Sequence, residues 1–107
     1  MRIILSVLFS MAMLFVQAQG IKKADKKYKR GEYEVAIAKY KGKLKSPKHA
    51  AKANFKIAEA YRLSNRLKQG IPYYEAAIKN RYKNPISYYY LAFGYKEIGD
   101  YTKAEQQ

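Results

Sequence analysis

The residues that most often perform catalysis or bind metals are few in this chain. His49 is the single histidine, there is no cysteine, and only eight residues are acidic. A zinc site or a cysteine nucleophile therefore has no suitable side chains, and no G-x-x-x-x-G-K-[ST] or G-x-G-x-x-G loop is present. We interpret His49 as an exposed helix residue, and Glu32, Glu34, Asp100 and Glu105 as caps or solvated side chains. We expect no enzyme activity, no cofactor and no metal site in this segment.

The side chains available for ligand binding are instead basic and aromatic. The 107 residues include 22 lysines and arginines and twelve tyrosines, and the formal net charge is +14. Charge of this sign favours acidic partners and does not determine the fold. The length allows one small domain, and 49% hydrophobic with 28% charged residues is typical of a globular one.

Residues 1–18 have the pattern of a secretory signal peptide. Met1-Arg2 supplies a positive charge, residues 3–16 are apolar apart from two serines, and small residues precede a cleavage site after Ala18. The alternative is an uncleaved anchor, but the apolar run is shorter than the roughly 20 residues that cross a bilayer. The missing cysteine excludes the usual bacterial lipid anchor. We expect export to the periplasm or the periplasmic face of the outer membrane, and a mature segment of 19–107.

A shift of 34 residues aligns the rest of the chain with itself, and this is its strongest internal signal. The phrase GEYEVAIAKY begins at Gly31, and the related GDYTKAEQQ begins at Gly99. The shift aligns small, turn and aromatic residues in columns: Ala24 with Ala58 and Ala92, Gly31 with Asn65 and Gly99, Ala36 with Gly70 and Ala104, Tyr40 with Tyr74, and Tyr61 with Tyr95. Between these columns stand turn residues that tolerate a left-handed backbone, and this arrangement predicts paired helices.

The aligned columns, together with the turn and proline residues between them, predict six helices near 21–30, 34–45, 47–63, 68–82, 85–98 and from 101 onward. Ser46-Pro47 and Asn84-Pro85 are expected to place an N-cap before a proline at the first helical position. The predicted core consists of Ala24, Ala36, Tyr40, Ala58, Tyr61, Tyr74, Ala77, Ala92, Tyr95 and Ala104.

The pattern resembles the tetratricopeptide repeat family. The match lies in A-x6-G-x-Y-x2-A-x3-Y from Ala24 to Tyr40 and in A-x2-Y-x3-G-x-Y-x2-A from Ala92 to Ala104. The resemblance implies an all-α right-handed superhelix of antiparallel helix pairs, with repeats at about 19–50, 51–84 and an incomplete 85–107. Three residues depart from the family pattern, namely Lys27, Lys43 and Pro72. A proline inside the second helix of a pair predicts a kink or a late start of that helix.

The alignment also raises an expectation about the chain's length. The counterpart of Tyr40 and Tyr74 would fall one residue after Gln107, within a predicted helix. Repeat arrays bury their apolar faces against neighbours and close with a polar capping helix. We therefore expect this sequence to be the amino-terminal part of a longer protein. The alternative is a chain whose last helix is short.

The family resemblance implies a concave groove lined by the first helix of each pair. The groove positions are Lys22, Asp25, Tyr28 and Lys29, then Lys52, Phe55, Lys56, Glu59 and Arg62, then Ile86, Tyr89, Tyr90, Phe93 and Lys96. As peptide-binding residues we select Lys22, Tyr28, Lys52, Phe55, Lys56, Arg62, Tyr89 and Tyr90. Such a groove suits an acidic peptide with apolar side chains, or a partner helix. The alternative is that further helices cover Phe55, Tyr89 and Phe93.

Two other ligands are weighed against this peptide. The two-carboxylate clamp that family members use for chaperone termini is absent, because Ile21, Asp25, Ile86 and Tyr90 occupy its positions. Single-strand nucleic-acid binders combine basic grooves with aromatic platforms, but most tyrosines here lie in repeat packing columns. We expect no nucleic-acid ligand. Lipid headgroups or acidic cell-wall polymers are better matches to the charge.

The order of features from the signal peptide onward resembles the amino-terminal module of bacterial envelope proteins. The motif K-A-D-x-x-Y-x-x-G-x-Y-x-x-A-I-x-x-Y runs from Lys23 to Tyr40. In those proteins the repeats precede a β-propeller and an OmpA-like peptidoglycan-binding domain, and members are associated with outer-membrane assembly, secretion and gliding. The resemblance implies a non-catalytic envelope scaffold, with cell-wall or outer-membrane association through a carboxy-terminal part. The alternative is a stand-alone exported peptide-binding adaptor or co-chaperone.

Overall fold

The computed structural model describes residues 21–99, and this part of the chain is all-α. The predicted signal peptide, Ala104 and the helix expected from residue 101 lie outside these residues. None of the helices within 21–99 is long and apolar enough to cross a membrane. The described helices are α1 through residues 21–29, α2 Tyr33–Lys41, α3 Ala50–Leu63, α4 Leu67–Lys79 and α5 Pro85–Glu97.

Left-handed residues lie at all three predicted turn positions, which are 34 residues apart. Gly31, Asn65 and Gly99 have φ values of 78°, 62° and 82°. Two of these turns also close with the same bond, because Glu32 N–H donates to the carbonyl of Lys27 at 3.0 Å and Arg66 N–H donates to that of Tyr61 at 2.8 Å. Bonds of this span end helices that turn through one left-handed residue. The short turns make α1 with α2, and α3 with α4, helical hairpins.

Some helix ends differ from the predicted ones. α2 ends at Lys41 rather than near 45, because the backbone tightens into turns in which Lys43 N–H donates to the carbonyl of Tyr40 at 2.8 Å. α4 ends at Lys79 rather than near 82, since Arg81 adopts a φ of 66°. α3 is regular only from Ala50, after a turn over residues 47–49.

Of the two predicted pairs of N-cap and proline, Asn84-Pro85 is confirmed. The prediction for Ser46-Pro47 is wrong, because α3 begins at Ala50 and its N-cap position is His49. The Asn84 side chain accepts a hydrogen bond from the backbone N–H of Ile86 at 3.0 Å, and Pro85 is the first residue of α5. Proline fits this position because the first helical N–H has no partner within the helix. Pro72 does not delay α4, which begins at Leu67 and continues past the proline.

Two hydrophobic clusters join the helices. One cluster, shared by α1, α2 and α3, consists of Ile21, Ala24, Ala36, Ile37, Tyr40, Ala53, Ile57 and Ala60. The other, shared by α3, α4 and α5, consists of Phe55, Ala58, Ile71, Tyr74, Ala77, Leu91 and Tyr95. Among the described residues predicted as core, Tyr61 and Ala92 are only partly buried, and the others are buried.

A glycine permits the close approach of α3 and α4. A Cβ atom added to Gly70 would lie 3.0 Å from the carbonyl oxygen of Ala58, which is tighter than ordinary van der Waals contact. Gly70 occupies the column of Ala36, which is itself fully buried. Gly70 therefore marks the point where α3 and α4 approach most tightly.

Candidate functional site

The same tyrosine–carboxylate hydrogen bond occurs in both complete hairpins. The hydroxyl of Tyr40 on α2 donates to Asp25 on α1, and the hydroxyl of Tyr74 on α4 donates to Glu59 on α3. Each pair is related to the other by the 34-residue shift. Both tyrosines are fully buried, and each hydroxyl contacts a carboxylate on the first helix of its hairpin. Both carboxylates pair with cations of α3, Asp25 with Lys52 and Glu59 with Arg62.

In the first hairpin the carboxylate holds a lysine from the second hairpin. Lys52 Nζ lies 3.0 Å from Asp25 Oδ2, and Lys56 Nζ lies 4.4 Å from the centroid of the Tyr28 ring. Burial raises the pKa of Asp25, but hydrogen bonds from Tyr40 and Lys52, with the charges of both lysines, lower it overall below its ordinary value. Asp25 is therefore an anion at neutral pH and orients Lys52.

These side chains surround a depression of about 380 Å³ between α1 and α3. We call it the basic pocket, and its lining residues are Asp25, Tyr28, Lys29, Lys52, Lys56 and Tyr82. Three ammonium groups face a single carboxylate there, so positive charge is in excess. An anionic group with an adjoining apolar part would contact both the lysines and the tyrosine rings.

In the second hairpin the equivalent carboxylate is nearly buried and holds an arginine. Arg62 Nη2 lies 2.6 Å from Glu59 Oε2, Arg62 Nε also donates to the Tyr74 hydroxyl at 3.2 Å, and the guanidinium carbon lies 4.1 Å from the centroid of the Tyr90 ring. Hydrogen bonding to Glu59 is the main cause that raises the pKa of Arg62, whereas burial is the main cause that raises that of Tyr74. Arg62 is therefore a structural cation that joins α3, α4 and α5.

The structure brings together three of the predicted peptide-binding residues, Tyr28, Lys52 and Lys56, in the basic pocket. Lys22 is exposed on α1 but does not line this pocket. The expected exposure of Phe55 is wrong. It is buried because Tyr82 packs on it with ring centroids 4.7 Å apart, and Tyr74 packs on it at 6.2 Å.

The aromatic end of the predicted groove lies on α5. Tyr89 is exposed, and Tyr90 is partly buried against Tyr74 and Arg62. A second depression of about 430 Å³ is lined by Tyr88, Tyr89, Ala92, Phe93 and Lys96.

Tyr82 is the residue of the basic pocket that sequence reasoning missed. It follows α4 in the connection to α5, where the 34-residue columns give no aromatic partner. Its backbone N–H donates to the carbonyl of Ala77 at 2.9 Å across the left-handed Arg81. Arginine has no preference for positive φ, so the sequence does not predict this turn. The position of Tyr82 over the pocket is therefore visible only in the tertiary structure.

Within residues 21–99, no group of three or more His, Cys, Asp or Glu side chains is arranged to hold a metal ion. Comparison of the chain with known proteins finds no matching protein-family model, no matching curated protein and no matching solved structure.

Proposed function

We propose that this protein is a non-catalytic binding module whose α1, α3 and α5 face holds an acidic protein segment with apolar side chains. The main support for the proposal is the basic pocket, where three lysines and two tyrosines surround one carboxylate. That carboxylate, Asp25, is already paired with Lys52 and accepts a bond from Tyr40. A ligand carboxylate would therefore meet lysines beside an aromatic wall.

We further propose that the helices form a right-handed superhelix of the tetratricopeptide repeat type. Support comes from the three left-handed turn residues 34 positions apart and from the two equivalent tyrosine–carboxylate bonds. Stacked helix pairs of this type present the first helix of each pair on one continuous face. The face here carries basic groups on α1 and α3 and aromatic groups on α5.

The charge distribution sets the ligand's chemistry. An exposed ion pair contributes little by itself, so affinity in the proposed complex requires apolar contacts with Tyr28 and Tyr82 as well as carboxylates near the lysines. The net charge of +14 accelerates encounter with an acidic segment and makes binding weaken as salt increases. The preferred ligand is therefore an acidic segment interrupted by large apolar residues, rather than a purely acidic polymer.

The proposed setting is the bacterial cell envelope. The signal-peptide pattern and the resemblance to repeat modules of OmpA-like envelope proteins support a scaffold that docks a periplasmic or outer-membrane protein. Cell fractionation with an antibody to the protein tests this part. Recovery in periplasmic or outer-membrane fractions supports the proposal, and recovery in the cytosol alone contradicts it.

Titration of fluorescent peptides against the whole chain tests ligand chemistry. The first peptide alternates Glu with Leu and Phe, the second replaces every Glu by Lys, and the third replaces every Leu and Phe by Ser. We expect fluorescence anisotropy to report saturable binding of the first peptide, about tenfold weaker binding of the third, and none of the second. Equal binding of the first and third peptides would contradict an aromatic contribution.

A further inference from the structure

Carboxylates are absent from two long stretches of the chain, and each stretch includes a connection that follows a helical hairpin. Residues 35–58 and residues 76–96 contain no Asp or Glu. The first stretch includes the connection from α2 to α3, and the second includes the connection from α4 to α5. The cations in and beside these connections are Lys43, Lys45, Lys48, Lys79, Arg81 and Lys83. We call these six residues the basic edge.

The fold brings the two connections to the same end of the helices. Because α3 and α4 form a helical hairpin, the start of α3 lies beside the end of α4. The connection that leads into α3 and the connection that leaves α4 therefore lie close together. A ring contact agrees with this arrangement, since Tyr82 of the second connection packs on Phe55, in the second turn of α3, with ring centroids 4.7 Å apart.

The opposite end of the helices carries charges of both signs that pair with each other. Glu32, in the turn from α1 to α2, pairs with Lys27 at 3.5 Å. Glu34 of α2 pairs with Arg66, in the turn from α3 to α4. By contrast, none of the six cations of the basic edge lies within salt-bridge distance of a carboxylate of residues 21–99. Their charge is therefore available to an anionic partner.

The first connection has a shape that suits a phosphate group. Lys43, Lys45 and Ser46 line a depression of about 330 Å³ there. Ammonium and hydroxyl groups both donate hydrogen bonds, and hydrogen bonds from a cation to a phosphate oxygen are among the stronger ones. The depression can therefore hold one phosphate headgroup.

Exposed apolar side chains lie beside the basic edge. Ile86 and Tyr88, in the first turn of α5, are 41% and 45% exposed. Apolar side chains next to lysines and arginines are typical of proteins that bind the surface of a bilayer, where the apolar groups enter the headgroup region and the cations contact anionic lipids. A soluble acidic polymer would contact the cations alone. The exposed Ile86 and Tyr88 therefore favour a bilayer over such a polymer.

We infer that the basic edge binds the surface of an anionic phospholipid bilayer, with Ile86 and Tyr88 in contact with the headgroup region. None of these residues lines the basic pocket. Bilayer binding at this end of the helices and peptide binding in the pocket can therefore succeed or fail separately.

Vesicle co-sedimentation of the whole chain tests the inference. The probes are vesicles of phosphatidylglycerol mixed with phosphatidylcholine, and vesicles of phosphatidylcholine alone. We expect at least about tenfold tighter binding to the anionic vesicles, and we expect this difference to shrink as salt increases. Residues 1–18 are the same in every variant described below, so a difference between two variants reports the side chains that were changed.

Two charge-matched triple variants locate the binding surface. The first removes three exposed cations of the basic edge, and its substitutions are Lys45→Gln, Lys79→Gln and Lys83→Gln. The second removes three exposed cations at the opposite end of the helices, and its substitutions are Arg30→Gln, Lys68→Gln and Lys96→Gln. The apparent dissociation constant for anionic vesicles should rise at least about tenfold for the first variant and less than about threefold for the second.

A further pair of variants tests the apolar contact. Ile86→Ser should raise the apparent dissociation constant for anionic vesicles about fivefold, because it removes an apolar side chain from the headgroup region. Val35→Ser is the matched control, since Val35 is 43% exposed and lies at the start of α2, at the opposite end of the helices. We expect the control to bind like the parent. Far-UV circular dichroism verifies that each variant is folded.

Three outcomes would overturn the inference. Equal binding to the two kinds of vesicle would exclude anionic headgroups as the ligand. Equal weakening by the two triple variants would show that net charge, and not the basic edge, determines binding. An Ile86→Ser variant that binds anionic vesicles like the parent would show that the surface recognises negative charge alone, as an acidic polymer would supply it.

Discussion

Removing the two equivalent tyrosine hydroxyls should destabilise the protein unequally. Tyr74 donates to Glu59, whose side chain is 8% exposed, whereas Tyr40 donates to Asp25, whose side chain is 27% exposed. Water can replace the lost donor more readily at Asp25 than at Glu59. We therefore expect Tyr74→Phe to have the larger effect, although both rings are fully buried.

The expected magnitudes follow from the charge and burial of the acceptors. A hydrogen bond to a charged group contributes about 1.5–3 kcal/mol, and we assign this range to Tyr74→Phe. For Tyr40→Phe we expect about 0.5–1.5 kcal/mol, because solvent reaches Asp25. A loss of about 2 kcal/mol lowers the melting temperature of a small domain by roughly 8–16 °C.

Urea and thermal unfolding followed by circular dichroism measure both free energies. Tyr88→Phe is the matched control, because Tyr88 is exposed on α5 and its hydroxyl makes none of these bonds. We expect the control to unfold like the parent. A loss for Tyr40→Phe equal to or greater than that for Tyr74→Phe would refute the reasoning from carboxylate burial.

Three further substitutions give distinct expectations. Arg62→Glu should lower the free energy of unfolding by about 3–5 kcal/mol in urea denaturation, because Glu59 would lose its cation and face a second carboxylate. Ala58→Leu should cost about 1–3 kcal/mol by overpacking the crossing with Gly70, and a melting temperature equal to the parent's would refute the helix register. The folded-state pKa of Asp25 lies below its ordinary value of 3.8. The ionised Asp25 carboxylate therefore stabilises the folded state above that pH, and this stabilisation disappears as the pH falls through the lower folded-state pKa. The free energy of unfolding, measured against pH, should show a weaker acid dependence in Asp25→Asn.

The repeat was predictable because its turns use residues with a visible conformational preference. Glycine and asparagine tolerate positive φ, and Gly31, Asn65 and Gly99 all adopt it. Arg81 adopts it too, at 66°, but arginine has no such preference. The sequence pattern therefore predicts an end of α4 a few residues beyond Lys79, where the helix ends.

The site was less predictable because it depends on contacts between side chains of different helices and connections. Family spacing places Phe55 on the open face, yet Tyr82 from the connection after α4 covers it. The charge of Arg62 is visible in the sequence, but its contacts with Tyr74 and Tyr90 come from two other helices. Periodicity predicts which helix face a residue lies on. It does not predict which hydrogen-bond or ion-pair partners the side chain has in the folded structure.

A comparison of two charge-matched double variants tests the proposed binding face most directly. Lys52→Glu with Lys56→Glu reverses two lysines of the basic pocket, and Lys68→Glu with Lys79→Glu reverses two exposed lysines of α4. Both change the net charge equally. The dissociation constant of the acidic, Leu- and Phe-containing peptide should rise at least about tenfold for the first variant and less than about twofold for the second. Equal weakening by both variants, or no weakening by the first, would contradict a binding site on this face.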